Sequence, residues 1–238
     1  MIDIVQYKAR VIFSISQYIF ILLYKFYVEG YTKTMILFDE NNLSPVRRRT
    51  LERLTNAALK LYKENKFPTA EEITREAEYA KVTLKTYFST HSEFVEYVVH
   101  KVIGAFEKPK MGDDAQENVK NLLSWGYGEL CSHEGLMRDA MRIAQQRWQS
   151  QHQDEQPDKE SSNLLKKSNR REALSEALAP LESQLPPEKV EKLVMLMSVL
   201  YGTEAMTILK DTFGLDKDEI IDLTTWGARL MIRQAALD

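Results

Sequence analysis

The sequence has few of the residues that form cross-links, turns and β-sheets. One of its 238 residues is a cysteine, so a disulfide within the chain is excluded, which suits a reducing cytoplasm. Only nine residues are glycine and seven are proline, and no run of β-branched residues alternates with polar ones. These shortages favour an all-α chain.

Motifs for catalysis and for metal binding are also lacking. The four histidines (His91, His100, His133 and His152) do not have metal-ligand spacing with one another or with Cys131. The sequence contains no glycine-rich phosphate loop, nucleophile elbow or HExxH motif. We therefore expect a protein that is not an enzyme and uses no cofactor or metal.

Charge is unevenly distributed along the chain. The net charge of −3 excludes a general polyanion binder. Residues 47–108 contain 12 Lys and Arg against 9 Asp and Glu, whereas residues 109–238 contain 16 against 22. A mildly basic segment followed by an acidic one is compatible with site-specific DNA binding.

No apolar run in the sequence is long enough to span a bilayer, and the longest uncharged run lies near the N-terminus. Residues 11–24 carry no charge, but these 14 residues are fewer than the ~20 that span a bilayer. A membrane anchor and a peripheral helix packed on the body are two interpretations. We favour a third, in which the native protein starts at Met35 and residues 1–34 are upstream of it.

Two helix-start signatures lie close together in the basic segment. Thr69-x-x-Glu72 and Thr90-x-x-Glu93 are both capping boxes. Between them the pattern predicts a helix over about 70–77, a turn at 78–80 and a second helix over 81–88. This arrangement is a helix-turn-helix, which indicates double-stranded DNA as a partner.

The stretch resembles the DNA-binding domain of the TetR family of bacterial transcriptional regulators. RRRTLERLTNAALKLYKENKF is similar to the family's first helix, ITREAEYAKVTLKTYF to its helix-turn-helix, and STHSEFVEYVV to the start of its fourth helix. The resemblance covers roughly fifty residues. It implies an all-helical homodimer with an N-terminal DNA-binding head and a divergent C-terminal half that holds a ligand pocket and the dimer contact.

Several residues depart from the family's pattern. Glu78 stands at the usual turn glycine, Ala80 at a serine, Lys85 at a tyrosine and His91 at a lysine. The segment between the first two helices, which includes Pro68, is also about two residues short. With these changes the resemblance still implies the fold, but it implies the DNA contacts of individual residues less strongly.

The expected organisation is an N-terminal extension (1–46), a DNA-binding domain (47–108) and a ligand-binding and dimerisation domain (109–238). The first and fourth helices of the head are expected over about 47–65 and 92–108, each with a buried apolar stripe at helical spacing. The stripe residues are Leu51, Leu54, Ala57, Ala58, Leu61 and Tyr62 in the first helix and Phe94, Val95, Val98, Val102 and Phe106 in the fourth. The C-terminal domain is predicted to contain five helices, over about 115–131, 136–152, 164–185, 187–213 and 217–237, and a third capping box, Asp216-x-x-Glu219, opens the last of them. We expect Gly135 to separate the first two, residues 149–163 to form a loop, and Pro180 to break or kink the third.

Candidate DNA contacts lie on and around the predicted recognition helix. Lysine and threonine can bond base edges or phosphates, and helix N-termini attract phosphate. The resemblance adds Thr83 and Tyr87 at positions where the family contacts DNA. Leu84 and Phe88 are expected to pack inward instead. For the arginines and His91, a solvated surface role is an equal alternative. The predicted DNA-binding residues are Arg47, Arg48, Arg49, Thr69, Lys81, Thr83, Lys85, Thr86, Tyr87 and His91.

Two further residue groups are predicted in the C-terminal domain. Aromatic and methionine side chains suit an apolar small-molecule effector, with ordinary core as the alternative; these are Trp125, Tyr127, Cys131, Met137, Met141 and Trp148. The last two helices are apolar on more than one face, so a second copy would cover the surplus. The candidate dimer residues are Val194, Met197, Leu200, Tyr201, Trp226 and Leu230.

We therefore expect a cytoplasmic, homodimeric transcriptional regulator that binds a palindromic operator. A repressor released by a small-molecule effector is the favoured mechanism. Two alternatives are a TetR-like regulator without ligand control and a membrane-anchored signalling protein.

Overall fold

The computed structural model describes residues 40–64, 66–104, 107–153 and 169–237. All regular elements in these ranges are helices, so the predicted all-α fold class is confirmed for them. The interpretations of residues 11–24 and of Met35 lie outside the described residues, as does most of the predicted loop.

The chain divides into two compact units, residues 1–48 and residues 49–238. In the first unit the described residues form a 3₁₀ helix, Glu40–Asn42, and the first turn of an α-helix that begins at Pro45. Proline suits the first helical position because its missing N–H would have had no partner there. The Ser44 hydroxyl accepts a hydrogen bond from the backbone N–H of Arg47 at 3.4 Å.

Ten α-helices lie in the described ranges, and the second unit contains all of them except the start of the first. They are α1 (Pro45–Lys63), α2 (Ala70–Glu76), α3 (Val82–Lys85), α4 (His91–Gly104), α5 (Ala115–Ser132), α6 (Glu134–Gln153), α7 (Asn169–Leu178), α8 (Pro187–Leu200), α9 (Thr203–Phe213) and α10 (Lys217–Leu237). The chain turns into a 3₁₀ helix, Ala179–Ser183, after α7, which confirms the predicted break at Pro180.

Three of these helices begin with the reciprocal hydrogen bonds that the sequence predicts. At α2 the backbone N–H of Glu72 donates to the Thr69 hydroxyl at 3.3 Å, and the Glu72 carboxylate accepts from the Thr69 N–H at 2.8 Å. Each such cap stabilises a helix by about 1 kcal/mol. The same pair of bonds opens α4, from Thr90 with Glu93, and α10, from Asp216 with Glu219.

Buried apolar side chains line the inner faces of α1 to α4. The predicted stripe of α1 is buried, and so are the predicted core residues of α4 that the structure describes; these are Leu51, Leu54, Ala57, Ala58, Leu61, Tyr62, Phe94, Val95, Val98 and Val102. Beyond α3, the ring of Phe88 lies 5.4 Å from that of Phe94 and 5.3 Å from that of Tyr97. These rings attach the end of α3 to α4.

The C-terminal helices surround α5. Helix α5 packs against α7 and α10, α8 packs against α7 and α10, and α6 packs against α4 and α9. The core between them is apolar, and Tyr127, Leu174 and Met206 are fully enclosed in it. Burial of this kind is the main favourable contribution to folding.

The single helix predicted over 187–213 is interrupted, which corrects that prediction. Tyr201 has an extended backbone and Gly202 has a φ of 140°, so α8 ends at Leu200 and α9 starts afresh. The break frees carbonyl groups, and side chains from other helices satisfy them. The Tyr127 hydroxyl donates to the Leu200 carbonyl, and the Arg170 guanidinium donates to that of Ser198 at 3.0 Å.

The bounds of α6 also differ from those predicted. Only His133 separates α5 from α6, and Gly135 is the second residue of α6 rather than the break between them. A Cβ at Gly135 would lie 2.8 Å from the Tyr62 carbonyl oxygen, so this glycine allows α6 to approach α1. At its other end α6 continues to Gln153, into the predicted loop. The prediction missed this extension because it is polar and has no apolar periodicity.

Across the described ranges, each helix taken singly is too short or too polar to cross a bilayer. Helices α8 and α9 meet the length and apolarity criteria only when counted together, and they are bent by 47°.

Glu78, between α2 and α3, generates the first prediction. Its φ of 62° is left-handed, a conformation that the Cβ of an L-residue disfavours. We expect Glu78→Gly to be more stable to urea than Glu78→Ala by about 1 kcal/mol, since both remove the carboxylate and only glycine relieves the strain. Unfolding curves followed by circular dichroism measure the difference. Equal stability of the two variants would mean that the turn is not strained.

Candidate nucleic-acid interface

A tight turn joins two short helices at the centre of the candidate interface. Helix α2 ends at Glu76, and the N–H of Tyr79 donates to the Thr74 carbonyl at 2.8 Å across the turn. The left-handed residue is Glu78, at the position where the resemblance places glycine. Helix α3 is shorter than the predicted 81–88, because residues 86 and 87 form a turn rather than a further helical turn.

The two faces of α3 differ in burial as the sequence predicts. Leu84 and Phe88 are buried, and both were expected to pack inward. Lys81, Lys85 and Thr86 are exposed. The exposed side of α3 and of the two residues that flank it therefore carries two cationic side chains and a hydroxyl.

The two lysines of this face have different surroundings. The Lys81 ammonium group lies 2.6 Å from the Glu71 carboxylate of α2, which offsets part of its charge. Lys85 makes no ion pair within the described part of the chain. An exposed lysine without an internal counter-ion is the better placed of the two to bind a phosphate.

Threonine and tyrosine side chains complete this segment. Thr83 and Tyr87 are half-buried, and the Thr86 hydroxyl donates to the Thr83 carbonyl at 2.8 Å. The Thr86 hydroxyl thus has a local acceptor, although the residue as a whole is exposed.

Val82 is a surface residue that the sequence interpretation missed. Its side chain is 63% exposed at the first position of α3, beside Lys81 and one turn before Lys85. An exposed apolar side chain on a recognition helix can contact the methyl group of thymine. Its place on the lysine face was the signal that could have identified it.

Helix α1 holds the turn through aromatic and cationic side chains that the sequence did not single out. The Arg53 guanidinium lies 6.0 Å from the ring centre of Tyr79. The pKa of the Tyr79 hydroxyl is lowered most by a hydrogen bond from Thr50 and less by one from Arg53. Next to them, Lys60 of α1 pairs with Glu76 of α2 at 2.5 Å. These contacts fix α2 and the turn on α1.

The predicted arginines lie at the start of α1, and all three are exposed. In the first compact unit, the Arg48 guanidinium donates to the Glu40 carbonyl at 3.4 Å. Arg49 belongs to the second unit. Their assignment to DNA stays a prediction.

Thr69 and His91 lie at the N-termini of α2 and α4. The Thr69 side chain is occupied by its capping bonds to Glu72. His91 is half-buried, and its Nδ1 atom is enclosed without a hydrogen-bond partner. Burial lowers the pKa of His91, nearby Asp139 raises it, and Arg142 lowers it further. His91 is therefore not the fully exposed surface residue that was one of its two interpretations.

The predicted effector residues are spread over the core and the surface. Tyr127 and Met137 are buried, while Trp125, Cys131 and Met141 are half-buried. Tyr127 and Cys131 lie in the core near the break between α8 and α9, where the Cys131 sulfur is 3.7 Å from that of Met206. Trp148 is separate, on the exposed surface near the end of α6.

The predicted dimer residues fall into two classes. Val194 and Met197 are buried in the protomer's own core, and Leu200 and Tyr201 are half-buried. Trp226 and Leu230 are exposed, and the sequence had missed the apolar neighbours that share their exposure. The exposed apolar face of α8 and α10 consists of Met195, Leu196, Val199, Leu223, Trp226 and Leu230.

Comparison with known proteins adds no relative. The chain matches no protein-family model and has no significant match among curated proteins.

The burial of His91 generates a prediction about pH. The unfolded chain protonates His91 near its ordinary pKa of about 6.5, whereas the folded chain does so only at lower pH. The unfolded state therefore binds more protons as the pH falls below about 6.5, and stability is lost there. We expect His91→Gln to lose less urea resistance than wild type between about pH 7.5 and 5.5. An identical loss in both proteins would refute this.

Proposed function

We propose that this chain is a homodimeric, sequence-specific DNA-binding regulator of the TetR type, acting in the cytoplasm as a repressor that a small-molecule effector releases. The observation that carries the proposal is the capped α2, the left-handed turn at Glu78 and the short α3 with exposed Lys81 and Lys85. In the proposed complex α2, its turn and α3 form the helix-turn-helix of a DNA-binding head made of α1 to α4.

In this complex α3 enters the major groove. Lys85 binds a phosphate or a guanine edge, and Val82 and the methyl group of Thr86 meet thymine methyl groups. Helix α4 points its N-terminus at the backbone, where unpaired amide groups attract phosphate. The head's excess of basic residues, 12 against 9 over residues 47–108, supports DNA as the partner of this end of the chain.

The exposed apolar face of α8 and α10 supports the second part of the proposal, a homodimer. Leu223, Trp226 and Leu230 lie three and four residues apart, so they form one stripe along α10. A stripe with 61% of Trp226 exposed to water is unusual for a monomer surface. Two copies of the α8–α10 pair would bury it as a four-helix bundle.

The charges on α10 favour a second copy of the same helix in antiparallel orientation. Beyond Lys217, its first residue, α10 carries Asp218, Glu219 and Asp222 on the N-terminal side of Trp226 and Arg229 and Arg233 on its C-terminal side, and all of them are exposed. Antiparallel pairing about Trp226 places Glu219 and Asp222 of one copy opposite Arg229 and Arg233 of the other. This self-complementarity is what a two-fold interface requires, and two heads would read two half-sites.

Effector control is proposed through α5 and α6, which carry the aromatic and methionine residues. Tyr127 links α5 to the break between α8 and α9 through its bond to the Leu200 carbonyl. An effector bound among these helices would shift α6, and with it α4, which packs on α6. The two heads would then change their separation, and the population would shift away from the operator-binding state.

DNA binding by α3 gives the third prediction. We expect Lys85→Ala to weaken binding to a duplex selected by the wild-type protein from random DNA about tenfold, and to lower the salt dependence by about one counter-ion. Fluorescence anisotropy at several salt concentrations measures both. Lys110→Ala, which removes an equal charge from an exposed site before α5, is the matched control. Unchanged affinity in Lys85→Ala would show that α3 does not enter the groove.

The homodimer gives the fourth prediction. We expect Trp226→Glu to convert a dimer into a folded monomer, because it places two carboxylates at the centre of the proposed interface. Sedimentation velocity measures the mass. Phe67→Glu, at a similarly exposed aromatic outside this face, should stay dimeric.

Charge reversal tests the antiparallel register of the same interface. Asp222→Arg and Arg229→Asp should each weaken the dimer, and the two changes combined should restore it. A wild-type monomer, or a double variant weaker than both single ones, would contradict this geometry.

A further inference from the structure

A buried carboxylate on α6 accepts a hydrogen bond from a side chain of α1. The Tyr62 hydroxyl, in the last turn of α1, donates to Asp139 Oδ2 at 2.6 Å, although 77 residues separate the two in sequence. Both side chains are inaccessible: Tyr62 is 4% exposed as a residue, and the Asp139 side chain is 1% exposed. Their hydrogen bond therefore crosses the interior between the first and sixth helices.

Arg142 completes the bonding of this carboxylate. Its Nε and Nη2 atoms donate to Asp139 Oδ1 at 2.8 and 2.6 Å, and its Nη1 atom donates to Gln146 at 3.0 Å. Both Asp139 oxygens thus have donors, and the negative charge has a cation beside it. A buried carboxylate is tolerated only when it is satisfied in this way. Tyr62, Asp139 and Arg142 are called the junction network below.

Other contacts place the junction network where α6 meets both α1 and α4. One turn before Asp139, Gly135 lets α6 approach the Tyr62 carbonyl. His91, the first residue of α4, is close enough to Asp139 and Arg142 for their charges to influence its protonation. Further along α6, Arg147 forms an ion pair with Glu96 of α4. Helices α1 and α4 are the two that flank α2 and α3 in sequence.

We propose that Asp139 is a positioning residue for DNA binding, holding α1 through Tyr62 and so fixing the angle at which α3 is presented. Apolar contacts between helices tolerate small rotations, whereas a short hydrogen bond to a carboxylate held by an arginine is directional. Movement of α6 therefore carries Tyr62 with it. The inference rests on the proposed function, because it assigns a role in presenting α3 to DNA.

The test compares two variants of α1 that each remove one buried hydroxyl. Tyr62→Phe deletes the hydroxyl that crosses to α6. Thr55→Val is the matched control, since the buried Thr55 hydroxyl donates to the Leu51 carbonyl within α1 itself, at 2.9 Å. Asp139→Asn is a second variant that keeps an acceptor for Tyr62 but loses the charge that Arg142 pairs with.

The first measurement does not involve DNA. All three tryptophans, Trp125, Trp148 and Trp226, lie on helices beyond α4, so their fluorescence reports the unfolding of the C-terminal helices. Circular dichroism reports all the helices. In wild type and Thr55→Val the two urea transitions should coincide. In Tyr62→Phe the dichroism change should begin first and the midpoints should separate by roughly 0.5–1 M urea.

The second measurement is affinity for the DNA duplex selected by the wild-type protein, at a urea-free condition where every variant is fully folded. Tyr62→Phe should bind about tenfold more weakly and Thr55→Val should not change. Asp139→Asn should fall between wild type and Tyr62→Phe. If Asp139→Asn fails to fold, Tyr62→Phe decides the question alone.

The outcomes separate this inference from the proposed function. Coincident transitions in Tyr62→Phe overturn the junction network as a link between α1 and α6. Separated transitions with unchanged DNA affinity also overturn the proposal, since the network would then only stabilise the fold. If the wild-type chain selects no DNA sequence, the proposed function fails, and with it the role of Asp139 in DNA binding, whatever the unfolding curves show.

Discussion

The structure around the candidate interface depends on interactions that stabilise the ends of very short helices, where backbone groups lack partners within the helix. An isolated helix of four or seven residues is not stable in water, because forming its first turn costs more than its few hydrogen bonds return. Thr69 and Glu72 cap the start of α2, its buried Ile73 packs it on the interior, and Glu76 at its end pairs with Lys60. Helix α3 has no side-chain cap of its own. It is held by the buried Leu84 within it and by the rings that follow it.

This constraint explains why the turn tolerates strain at Glu78. A left-handed, non-glycine residue costs on the order of 1 kcal/mol. The contacts of Tyr79 with Arg53 and Thr50, and the packing of Phe88 on Phe94, hold both sides of the turn and leave the chain little freedom to relax. The strained residue is therefore maintained by its neighbours, and the outer face of α3 is presented in a fixed orientation.

Local signals in the sequence predicted the parts of the fold that local interactions determine. The three capping boxes, the buried stripe of α1 and the inward direction of Leu84 and Phe88 follow from spacing alone, and the structure confirms them. The break at Gly202 could not be read in the same way. It requires donors for the freed carbonyls, and these come from Tyr127 and Arg170, which lie far away in sequence.

The candidate interfaces show the same limit. Sequence periodicity indicated that α8 and α10 have more apolar surface than one core can cover, but it could not separate buried Val194 from exposed Met195. That separation depends on which side of α8 faces α5, α7 and α10. Tyr62 was assigned to the core from its spacing, and its hydroxyl group became meaningful only when Asp139 was found beside it.

Polar and apolar contacts are used for different purposes in this chain. Burying the exposed apolar face of α8 and α10 would stabilise a contact in proportion to the area buried, with little dependence on the angle between the helices. The contact of α6 with α1 instead carries the buried hydrogen bond from Tyr62 to Asp139, which a small rotation would break. The contact of α6 with α4 carries the ion pair of Arg147 with the half-buried Glu96. In the proposed regulator this division has a mechanical consequence. The apolar bundle would supply the strength of the dimer, and the polar junction would determine the angle of the heads, so an effector needs to disturb only the junction to change DNA affinity.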